Sequence, residues 1–285
     1  MEINSQDFGK GGLLSPYDIR DYWYTPAPRG EIDWEKGFDI ENKVGKITIK
    51  NQGKSGSCGG QAWSYYGEVL EAIATKSYEP RSARWIYSHT FAPGGGSRGS
   101  DNCNFVVKYG FAKEDDATSY EKGKVPSESF METVPELTAV ALDEAQTSKA
   151  LSYLKVTTDI DTIANAILEH NGVIMAIYGQ NNGTWHSAYP KRPMGKVWCH
   201  WLYVGKFKMI DGKKYIGVIN SWGDKIGEKG IQWIGEEYFA SDFITEAWTL
   251  AWDYKPALNK VLMIKTIGLL KKLVGLLTLQ HESKT

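Results

Sequence analysis

Residues 51–63 read NQGKSGSCGGQAW, and the setting of Cys58 in that stretch decides how the rest of the chain is read. A cysteine that only fills a helical core needs no glycine- and serine-rich approach. One that attacks a substrate needs backbone donors beside it and open space for the substrate to enter. Beyond it, Trp63, Tyr66, Leu70 and Ile73 recur at helical spacing, which predicts a helix over residues 58–75 that begins at the cysteine. A thiol near its ordinary pKa of about 8.5 is mostly protonated at neutral pH, and the partial positive charge at a helix N-terminus favours the thiolate. A histidine is needed to complete the activation and later to protonate a leaving amine.

Five histidines are available, His89, His170, His186, His200 and His281. His200 lies in the strand-like KVWCHWLYVGKFKMI (196–210), and the turn signal DGKK (211–214) folds that strand against KYIGVINSW (214–222) as a hairpin. The turn places Asn220 at the same end of the hairpin as His200. An asparagine oxygen accepting from one ring nitrogen fixes the tautomer that presents the other nitrogen to the thiol, and Trp222 is placed to cover that bond. Gln52 offers a side-chain N–H which, with the Cys58 backbone N–H, forms a hole for the oxygen that gains negative charge in acyl transfer. His186, the rival base, sits in a polar, turn-rich stretch and is expected to face solvent. Cys199 should point away from His200 into the core, because neighbours on a strand face opposite sides. Cys103 has no partner at metal-ligand spacing, and no Cys/His cluster reads as a zinc site. Gly94–Gly96 border either a substrate cleft or a surface loop.

At these residues the chain resembles the papain-like cysteine peptidases. The matching stretches are IDWEKG (32–37), IKNQGKSGSC (49–58), the histidine of CHWLYVG (199–205) and NSWGDKIGEKG (220–230). His200 follows Cys58 within the family's range of roughly 130–150 residues, and Asn220 falls slightly beyond it. The resemblance implies Cys58 as nucleophile, His200 as base, Asn220 as its orienting partner, Gln52 as oxyanion donor and Trp222 as the covering indole. It implies an α+β, two-lobed fold: a helical lobe, an antiparallel barrel-like sheet lobe, and the active site in the cleft between them. The implied activity is peptide hydrolysis through a thioacyl-enzyme, with a peptide or protein as substrate and no cofactor or metal. An acyl-transferring or cell-wall-peptide-cleaving relative would use the same triad, and a non-catalytic interaction protein on this fold would keep Cys58 inert. Three positions depart from the family pattern: Ser55 replaces a second cysteine, Gly59 the aromatic after the nucleophile, and Ile226 the second tryptophan of the asparagine motif. No long inhibitory pro-segment is expected, since about 30 residues precede IDWEKG, and LLSPYDIRDYWY (13–24) is similar to the start of intracellular bacterial and phage-type members.

Composition bounds the partners. A net charge of −1 from 33 basic and 34 acidic residues gives no field for gathering nucleic acid. Three cysteines exclude a disulfide framework, and together with the lack of a signal-peptide pattern they point to the cytoplasm or another reducing compartment, with association with a virion as the alternative. The expected organisation is a strap at 1–30, a peptidase domain at 31–255 (helical lobe about 58–150, sheet lobe about 31–50 and 151–255), and an amphipathic helix and tail at 256–285. In that last segment Met263, Ile267, Leu270, Val274 and Leu277 form a stripe beside Lys260, Lys265, Lys271 and Lys272. The stripe suits self-association or partner docking, with an anionic membrane surface as the alternative.

Overall fold

A computed structural model describes residues 8–27, 31–181 and 183–252, which fall in one compact unit. The expected C-terminal helix lies outside the described residues. In chain order the first half holds β1 (Gly12–Leu13), β2 (Phe38–Asp39), α1 (Glu41–Val44), α2 (Cys58–Thr75), α3 (Ala83–Thr90), β3 (Ser97–Arg98), α4 (Gly99–Tyr109), α5 (Glu128–Glu132) and α6 (Ala139–Thr147). The second half holds β4 (Ser152–Lys155), α7 (Ile160–His170), β5 (Val173–Gly179), β6 (Trp198–Ile210), β7 (Lys213–Ile219), β8 (Ile231–Gly235), α8 (Glu236–Phe239) and β9 (Ile244–Ala251).

Helix α2 has the predicted bounds. It is apolar nearly all round, burying Trp63, Tyr65, Tyr66, Val69 and Leu70, which is the signature of a helix packed on more than one side. It stops where Lys76 turns left-handed (φ 61°) and its N–H closes back on the Ala72 carbonyl. One core cluster joins α2 to Trp85, Phe105, Trp201, Tyr203 and Trp248; a second lies on the other side of the sheet among Ile163, Ile167, Leu202, Phe207, Trp222 and Ile234.

Seven of the strands form one sheet in the order β4-β9-β5-β6-β7-β8, with β2 beside β6 and antiparallel pairing throughout. The sheet is open, with β4 and β8 at its ends, and does not close into the barrel-like lobe that the sequence suggested. The β6–β7 hairpin turns at Asp211–Gly212, both in the left-handed region, as the DGKK signal requires. Its register shifts by one residue between Val204 and Lys206. Before the shift Lys206 faces Gly217; after it Val204 faces Val218 and Tyr203 faces Ile219. Continuing that register brings Asn220 opposite Leu202, on the same face as His200. Without the bulge at Gly205, Asn220 would meet residue 203 and point to the other face.

A buried ion pair fixes the segment that carries Gln52. Lys50 Nζ lies 2.6 Å from Glu68 Oε1 on α2, and the same carboxylate accepts from the Arg81 N–H at 2.8 Å and the Tyr78 hydroxyl at 2.6 Å. Glu68→Ala would leave the Lys50 ammonium buried without its counter-ion, so it is expected to cost about 3–5 kcal/mol, read as a lower urea midpoint at unchanged slope. No helix among the described residues is long and apolar enough to cross a membrane.

Candidate active site

Cys58 opens α2, fully buried, with the backbone N–H groups of Trp201, Gly11 and Gly59 and its own facing the sulfur. The loop before it is drawn tight without a disulfide. Ser55 Oγ donates to the Gln52 carbonyl at 2.8 Å and lies 2.7 Å from Ser57 Oγ. A side chain at 59 has no room: its Cβ would lie among Ser97 Oγ and, at 2.6 Å, Asn102 Nδ2, which accounts for a glycine after the cysteine. Ile226 is buried in the cluster that holds Trp222 and Trp185.

His200 and Asn220 meet as expected. His200 Nε2 lies 3.0 Å from Asn220 Oδ1, under the Trp222 ring at a centroid distance of 4.6 Å. The amide orientations follow from the chain of partners. The carbonyls of Trp185 and Ser187 only accept, so Gln232 Nε2 donates to them at 2.8 and 3.1 Å, and its Oε1 is left to accept from Asn220 Nδ2 at 2.7 Å. Asn220 Oδ1 then faces the ring and also takes the Ser221 N–H at 2.7 Å. Nε2 therefore carries the proton, and Nδ1 is a bare lone pair, buried and without a hydrogen-bond partner. Gln232→Leu would leave Asn220 Nδ2 unpaired. Expected results are a loss of about 1–3 kcal/mol in stability and a fall in kcat at nearly constant KM, measured by urea titration and steady-state kinetics.

Gln52 is held by the segment that bears the asparagine. Its N–H donates to the Ser221 carbonyl at 2.9 Å, and its Oε1 accepts from Ser221 Oγ at 2.6 Å. This points Nε2 the other way, toward the Ser55 carbonyl at 2.7 Å and the Gly9 carbonyl at 3.3 Å. Trp222 Nε1 donates to the same Gly9 oxygen at 3.2 Å. The N-terminal strand thus runs through the site: Phe8 stacks on Trp222 at 5.3 Å, and Gly11 places its N–H on the Cys58 sulfur. β1 then pairs parallel with β3.

Burial sets the electrostatics. Burial pushes the Cys58 thiol up to about 11, against the N–H groups that favour its anion. Burial likewise pushes His200 down to about 3, the Asn220 bond opposing and the Lys10 charge adding. At neutral pH both groups are uncharged in this resting arrangement, and no hydrogen bond joins them.

Of the other candidates, His186 is exposed and Cys103 sits in the core, while Gly96 faces the strand in the cleft. Cys199 packs against the core cluster around α2, as expected. It is half-buried with its sulfur beside Gly12, because β1 packs on β6 at this point and makes that face a cleft wall. Among the described residues no group of three His, Cys, Asp or Glu side chains could hold a metal ion.

No family model matches the sequence, and no curated protein matches it. Solved structures do. The chain is similar to xylellain, a cysteine protease from Xylella fastidiosa, at 19% identity and a TM-score of 0.71, over 88% of this chain and 98% of that one. The fold is papain-like. Digestive procathepsin L 3 of Tenebrio molitor shares it at 18% identity and a TM-score of 0.63, over 86% of this chain and 76% of that one. Bromelain from Ananas comosus does so at 17% and 0.59, over 76% and 99%. In the papain-like frame, the residues missing from the sequence reading are Ser221 and Gln232, which hold Gln52 and Asn220. Gln232 left one signal, a polar side chain at an inward position of an apolar strand.

Proposed function

We propose that the chain is a cysteine peptidase that hydrolyses peptide bonds through a thioacyl-enzyme, with Cys58, His200 and Asn220 as triad. The observation that carries this reading is the bare, buried Nδ1 of a ring locked by Asn220, on the strand whose Trp201 N–H faces the Cys58 thiol. In the reaction the thiol proton passes to Nδ1 and sulfur attacks the substrate carbonyl carbon. The oxygen takes the negative charge, held by Gln52 Nε2–H and the Cys58 N–H. As the C–N bond breaks, the proton moves from Nδ1 to the leaving amine. Water then attacks the thioester, and the acid leaves with the thiol restored.

The test is made on a full-length chain opened by Gly11→Val, whose added Cβ would fall on the Gly56 carbonyl oxygen. Iodoacetamide at about pH 5, where ordinary thiols hardly react, should label Cys58 selectively, as peptide mapping would show. His200→Ala in the same background should slow that labelling tenfold or more. Equal rates with and without the imidazole would end the reading.

A further inference from the structure

The strand in the cleft is glycine at three of four consecutive positions, and the walls explain why. A Cβ on Gly9 would fall on the Ser55 carbonyl oxygen, and one on Gly11 on that of Gly56. A Cβ on Gly12 would stand 2.8 Å from the Cys199 carbonyl carbon and 2.9 Å from the His200 nitrogen. From the facing wall, a Cβ on Gly96 would come within 2.6 Å of the Gly11 oxygen. These are main-chain atoms, which cannot swing aside as a side chain can.

Nor can the walls part easily. Glu128 takes the Gly56 N–H on one carboxylate oxygen and the Tyr87 hydroxyl at 2.5 Å on the other, and that hydroxyl accepts the Gly96 N–H at 2.8 Å. One carboxylate therefore ties the two sides of the slot together. Within it the strand is held by its backbone: Gly9 N–H to the Gly53 carbonyl at 2.8 Å, and Ser97 N–H to the Gly11 carbonyl at 2.9 Å. Main-chain bonds read no sequence, so the selection is steric. Lys10 alone projects a side chain, its ammonium 5.6 and 5.8 Å from the Trp198 and Trp222 rings, a seat for a cation.

We propose that the cleft beside Cys58 is a slot for glycine-rich strands, filled in the resting chain by Gly9–Gly12. Once opened, it takes peptides with glycine at those three positions and a cationic residue between the first two. The substrate class rests on the peptidase reading above, and hydrolysis follows the steps given there.

Full-length Gly11→Val, with Gly9→Val as a second opened variant, is mixed with a peptide of sequence FGKGGLL or its counterpart FAKAALL. Two readouts are taken, cleavage and protection of Cys58 from iodoacetamide. The glycine peptide should be cut with kcat/KM at least tenfold above the alanine peptide, and it alone should protect the thiol. Equal cleavage or equal protection overturns the glycine slot. A thiol that depends on His200 yet is neither protected nor turned over by FGKGGLL overturns the slot and leaves the peptidase reading standing. Protection without cleavage supports the slot and counts against the peptidase. Cys58 unreactive in both opened variants overturns both.

Discussion

Replacing Gly11 with valine is expected to raise the rate of Cys58 alkylation at pH 6 by about 100-fold or more. With the strand seated, burial holds the thiol up at about 11, so roughly one molecule in 10⁵ carries a thiolate at that pH. Opening the cleft returns water to the sulfur and to His200 Nδ1, and a thiol paired with an imidazolium ionises at about 3.5–7.5. The gain in thiolate is partly offset, because a less basic thiolate is a weaker nucleophile, with a Brønsted slope of about 0.4–0.5. About two powers of ten survive the offset. The pH profiles separate the states more sharply than the rates. In the native chain labelling should climb with pH toward 11; in the variant it should level off by neutrality. A variant that tracks the native profile would mean that the strand does not govern the thiol.

The second large effect concerns Gln52. In the opened background Gln52→Ala should lower kcat by about 10²–10³ and leave KM nearly unchanged, since the lost donor acts on charge that develops only in the transition state. Stability should fall by far less. The substitution leaves Ser221 Oγ without its acceptor, at a cost of about 1–3 kcal/mol, which urea unfolding would measure on the same sample. A kcat within fivefold of the parent would remove Gln52 from the oxyanion role.

The parts of this molecule that were legible from sequence are those written locally. Helix α2 announced itself by spacing, and the β6–β7 hairpin by its turn residues. The face on which His200 and Asn220 meet was not so written. It depends on the bulge at Gly205, and an isolated glycine within a strand was the one available signal. Gln232 and Ser221 were passed over because their work is to orient other side chains, which needs three-dimensional neighbours to recognise. The glycines of residues 9–12 looked like punctuation in an irregular strap. Their purpose appears only against the Ser55 and Gly56 carbonyls, far along the chain, and no local period records such a meeting. The barrel-like sheet lobe came from the family resemblance alone, whereas closure depends on whether the end strands pair.

The strand in the cleft belongs to the chain it blocks. After Leu13 the chain crosses exposed surface at Tyr17, Ile19 and Tyr22, and is fastened again where the Lys155 N–H donates to the Tyr22 carbonyl and the Tyr24 N–H to the Lys155 carbonyl, both at 2.8 Å. A short leash of this kind presents its own end at an effective concentration in the millimolar range. Weak seating is then enough to keep the cleft full, even though ordering glycine backbone is entropically expensive. A single cut in the exposed stretch would turn this unimolecular equilibrium into a bimolecular one, and simple dilution would then empty the cleft.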